Sequence, residues 1–132
     1  MITQLDIFNV NKRILKRVAI SLVILFLFDM VWFKFSTNIY KGKVQDKIRK
    51  IGAAVAWILI AYAISVQKPK SLKEAGMYGA FTGLIIYGVF NGTAHAITKN
   101  WDAKTSIYDT MWGITNCTAT SMILFKLSRF YD

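Results

Sequence analysis

The chain has 132 residues, of which 55% are hydrophobic, with a mean hydropathy of +0.38 and a net charge of +10. That much apolar side chain in so short a chain excludes an ordinary soluble domain, and the expected solvent is partly lipid. The 17 Lys and Arg would suit nucleic-acid phosphates, but nearly all lie beside apolar runs, where cations meet lipid headgroups. The charge therefore implies the lipid bilayer as partner, with no nucleic acid.

Lys12, Arg13, Lys16 and Arg17 precede the apolar run 18–28 in the manner of a secretory signal. Asp29, Met30, Val31, Trp32, Phe33 and Lys34 then stand where a small-residue cleavage site belongs, so an uncleaved first span over 18–35 is expected. Three further apolar runs follow, at 51–66, 75–98 and 106–127. A crossing takes roughly 20 apolar residues, and in lipid each run should be a helix, because the backbone has no other hydrogen-bond partners there. Pro69, the one proline, falls in the second loop, where a helix breaker belongs. The expected fold is all-α, one domain: an integral membrane four-helix bundle with both termini on the same side. Nine Lys or Arg on the side of the termini face eight on the other, a balance from which the positive-inside rule gives no orientation.

In the first loop, Tyr40, Val44, Ile48 and Ile51 recur at helical spacing among Lys41, Lys43, Lys47, Arg49 and Lys50. That spacing predicts a basic amphipathic helix over 39–51, lying in the headgroup layer against anionic lipid headgroups. In the third run, Gly76, Gly79, Gly83, Gly88 and Gly92 are closely spaced. Small residues three or four apart let membrane helices approach closely, within one bundle or between copies in a homo-oligomer. Gly52 and Ala56 open the second run in the same style.

Two tetrads are alike: Asp29 to Trp32 late in the first run, and Asp109 to Trp112 early in the fourth. Antiparallel runs bring both toward one membrane face, where Asn91, Thr93 and His95 of the third run also lie; the other half looks nearly featureless. An ionised carboxylate in lipid costs several kcal/mol, and such residues face the bundle interior. Candidate compensating groups are His95, Lys99, Lys34 and the indoles of Trp32 and Trp112. Asp109, Gly113, Asn116 and Thr120 share one helix face, either a polar conduit or packing glue between helices. His95, the only histidine, could relay protons with Asp109 or simply cap its helix.

One histidine and the lone Cys117 offer no ligand set for a metal, and no cofactor motif is present. Asn91-Gly92-Thr93 and Asn116-Cys117-Thr118 match a glycosylation acceptor but lie inside spans. The candidate polar cluster is thus Asp29, Trp32, Asn91, Thr93, His95, Asp109, Trp112 and Asn116.

Taken in order, Asp29, Trp32, Tyr40, Thr93, Lys99, Trp101, Asp109, Trp112 and Gly113 resemble the small membrane proteins grouped as domain-of-unknown-function family 2177, from about residue 18 onward. The resemblance implies four helices and membrane residence, and no activity. The chain departs from it at 90–94, Phe-Asn-Gly-Thr-Ala, where similar members have Tyr-Asp-Leu-Thr-Asn, and at Asp102, where a Pro is expected. Three functions are compatible with these residues: binding or passage of a small cation, proton or lipid headgroup; an assembly role with Asp–Trp pairs as interhelical staples; or a lipid-modifying enzyme using Asp29 and Asp109 as acid and base.

Overall fold

A computed structural model describes residues 11–45 and 47–131, and within them every regular element is helical. Helix α1 is Lys12–Phe35, α2 Thr37–Tyr40, α3 Lys50–Ser65, α4 Leu72–Ile97 and α5 Ala103–Tyr131. Local chemistry sets the boundaries. The Asn11 side chain accepts from the Ile14 N–H at 3.0 Å, that of Ser71 from the Glu74 N–H at 3.1 Å, and that of Asp102 from the Thr105 N–H at 2.8 Å. Each satisfies a donor that the first helical turn leaves orphaned.

The first loop corrects the expectation of an amphipathic helix over 39–51. Helix α2 stops at Tyr40, and the Lys43 N–H donates to the Tyr40 carbonyl at 2.9 Å. Lys41 sits at φ −56°, ψ 127°, and Gly42 takes the positive φ, 76°, that a type II turn demands of its third residue. A helix cannot continue through that turn, and among the described residues none resumes before Lys50.

Helices α4 and α5 form the most intimate pair; α1 lies against α3 and α5, and α3 touches α4 only lightly. Glycine explains the intimacy. A Cβ on Gly79 would strike the Cys117 carbonyl and Ser121, and one on Gly83 would strike the Gly113 backbone, while the Tyr87 ring covers Gly113. Only hydrogen fits at these positions. Gly88 and Gly92, farther along the same helix, face open space, so only the first part of the glycine stripe is spent within the molecule.

The interior inverts the soluble pattern. Among the described residues, eleven polar or charged side chains are buried against nine apolar ones, while Phe35, Ile51, Phe81, Val89 and many other large apolar side chains are exposed. The apolar core is small: Leu25, Ile60, Ala61, Ile64, Cys117 and Leu124. Two helices, α1 and α4, are long and apolar enough to cross a membrane. The third, α3, is apolar but has 16 residues, about 24 Å at the helical rise. Helix α5 has 29 residues, and its low mean hydropathy has a physical source: it buries Thr105, Asp109, Asn116, Thr120 and Ser121 and turns Ile107 and Met111 outward.

Candidate functional site

Asp29 and Asn91 lie six residues before the ends of α1 and α4, and Asp109 six residues after the start of α5. All three are therefore about 9 Å along the axis from the same end of the bundle, and all are buried.

Asp29 receives three donors. The Trp57 indole N–H donates to Oδ2 at 2.6 Å, and the Trp112 indole and the Asn116 amide donate to Oδ1 at 2.8 and 3.1 Å. These come from α3 and α5, so one carboxylate of α1 ties three helices. Asn116 is itself oriented by Thr120, whose hydroxyl donates to the Asn116 Oδ1 at 3.1 Å.

Asp109 is held differently. The Asn91 amide of α4 donates to its Oδ2 at 2.7 Å, and the Tyr40 hydroxyl, at the end of α2, donates to its Oδ1. The Trp32 indole donates to that Tyr40 oxygen at 2.8 Å, and the Trp101 indole donates to the Asn91 Oδ1 at 2.8 Å. All four tryptophans of the chain thus aim their N–H groups into one layer.

The two Asp-x-x-Trp tetrads do not pair internally. Trp112 of the second serves Asp29 of the first, while Trp32 reaches Asp109 through Tyr40. The indoles of Trp32 and Trp112 stack, with centroids 4.9 Å apart and planes 4° from parallel. A residue three positions on shares a helix face with the carboxylate, and from that face a long indole reaches the neighbouring helix.

Of the cluster expected from sequence, Asp29, Trp32, Asn91, Asp109, Trp112 and Asn116 come together. Thr93 does not; it is exposed on α4. His95 is exposed as well, and its Nδ1 meets the Trp101 carbonyl at 2.7 Å. Among the described residues every donor on the two carboxylates is a neutral group, and neither Lys34 nor Lys99 is among them.

Trp57 was hidden in an apolar run, yet it is the only side chain of α3 with a polar tip at the depth of the acids. Tyr40 was legible as a loop aromatic and not as a ligand of Asp109. Nor is the opposite end featureless. Arg17 of α1 is buried; its Nε donates to the Ser65 carbonyl at 2.8 Å, Nη2 to the Gln67 carbonyl at 3.2 Å, and Nη1 to the Tyr131 hydroxyl at 2.7 Å. The guanidinium also lies over the Tyr131 ring. It caps the carbonyls at the C-terminal end of α3 and joins the start of α1 to the end of α5.

An open groove of about 260 Å³ runs on the outside between α4 and α5, lined by Gly88, Asn91, Gly92, Ser106, Ile107, Thr110 and Met111. Neither carboxylate lines it.

A family model described as a predicted membrane protein (DUF2177) matches residues 14–125. No curated protein and no solved structure matches the chain.

Proposed function

We propose, for a chain that belongs to the DUF2177 family of predicted membrane proteins, a structural or assembly role in which the polar layer is a clasp that fixes helix register within the bilayer. In this reading all four long helices cross, with both termini on one side. The observation that carries it is the donor arithmetic: three neutral donors from two other helices converge on Asp29. In lipid, where hydrophobicity cannot drive helices together, such interhelical bonds and close glycine contacts supply the association energy. Exposed Lys41, Lys47, Arg49 and Lys50 and half-buried Lys43, set among exposed Val44, Ile48 and Ile51, would then rest on anionic headgroups.

The test is thermal unfolding of purified Asp29→Asn and Asp109→Asn proteins in detergent. The clasp predicts lowered midpoints for both, with Asp29→Asn lower. Unchanged midpoints would rule the clasp out. A second reading, binding or passage of a proton, cation or headgroup at this layer, draws on the neutral character of the donors that the described residues offer the two carboxylates. It predicts that the same variants stay folded and inserted while ion flux or ligand binding by reconstituted protein is lost.

A further inference from the structure

The two carboxylates differ in where their donors come from. Asp29 is held wholly by side chains of α3 and α5. Asp109 is held by one helix side chain, Asn91, and one loop side chain, Tyr40. Asn91 in turn is steadied by Trp101, from the loop between α4 and α5. Two loops at the same end of the bundle therefore each send an aromatic ring down to the Asp109–Asn91 pair, and the two rings lie 6.0 Å apart, centroid to centroid.

We infer that Tyr40 is a plug: the first loop seats its ring between the aqueous face and the Asp109 side of the layer, so that withdrawal of this loop opens Asp109 to water while Asp29 stays locked. Three observations support the assignment. The Tyr40 hydroxyl is anchored from below by Trp32 and Asp109, and its ring lies against those of Trp32 and Trp101. Burial, together with the hydrogen bond to Asp109, pushes the phenol's pKa above its ordinary 10.0, which keeps it a donor. Tyr40 closes the four-residue helix α2 and is followed at once by the Gly42 turn, and among the described residues no helix resumes before Lys50, so the stretch that follows it is held by few backbone bonds and can be released locally. Thr105 lies one turn before Asp109 on α5 and is almost fully buried, which makes it a reporter of water entry on the Asp109 side.

The plug rests on the clasp reading for its seat, and its test is separate. Thr105→Cys is made in a Cys117→Ala background, reconstituted in phosphatidylcholine vesicles, and its reaction with a charged, membrane-impermeant thiosulfonate is timed with Tyr40, Tyr40→Phe or Tyr40→Ala. The expected result is a rate raised tenfold or more by Tyr40→Ala and far less by Tyr40→Phe, which keeps the ring. Ser21→Cys, at the far end of α1, should react equally in all three. A Tyr40→Ala rate at Thr105→Cys no faster than the parent's would overturn the plug, and so would an equal acceleration at Ser21→Cys. Neither result involves the unfolding midpoints that decide the clasp.

Discussion

At one end of the bundle two carboxylates sit among indoles, amides and a phenol; at the other a guanidinium sits among backbone carbonyls and a phenol. Both answer the same demand, that a buried ionic group find its hydrogen bonds inside the protein. The carboxylate can only accept, so side-chain donors must be brought to it, and the rigid indole is long enough to cross from the next helix. The guanidinium can only donate, and the last turn of a helix already presents unpaired carbonyls. An acid layer must therefore be built from several side chains, whereas a single arginine can use backbone that is there anyway.

The largest effect should come from Asp29→Leu, which strands three donors inside the bundle. A loss of about 3–5 kcal/mol is expected, read as the unfolding midpoint in a detergent–denaturant titration. Arg17→Leu removes bonds to two carbonyls and to Tyr131, close to the end of the bundle; about 2–4 kcal/mol is expected. A larger loss for Arg17→Leu than for Asp29→Leu would reverse the ranking of the two ends.

A sharper contrast lies within α4. Gly83→Ala forces a methyl against the Gly113 backbone, whereas Gly92→Ala meets open space. The first should cost about 1–3 kcal/mol and the second should be neutral or slightly favourable, measured in the same titration. Equal effects would mean that the α4–α5 contact can slide.

The smallest effect concerns the exposed Asp102. Hydrogen bonds from the side chain and backbone N–H of Thr105 hold its carboxyl below the ordinary 3.8. Its contribution is complete above that value and fades as pH falls through the lowered one. In Asp102→Ala this acid-side decline should be missing from the stability profile, while the neutral-pH midpoint falls slightly with the lost cap.

How much of this was legible depends on how local the signal is. The two acids stood out because each interrupts an apolar run, and their shared depth followed from counting residues to the helix ends. Arg17 did not stand out, since three other cations precede it and it reads as one more headgroup contact. Trp57 did not either, because an indole within an apolar run counts as oil until its N–H has a partner. In the first loop the spacing of Tyr40, Val44 and Ile48 was helical, yet Gly42 made a tight turn the better local solution, and Tyr40 was free to point inward.

By itself the sequence determined the four long helices, the membrane setting, and which residues share a face and a depth, because all of these follow from composition and from spacings within a few residues. The tertiary structure alone decided that Trp112 serves Asp29 while Trp32 serves Tyr40, that Arg17 caps α3, and that Gly79 and Gly83 are spent while Gly88 and Gly92 are not. Those pairings depend on the rotation and register of one helix against another. The close approach of α4 to α5, and the few donors able to reach each buried ion, set that register.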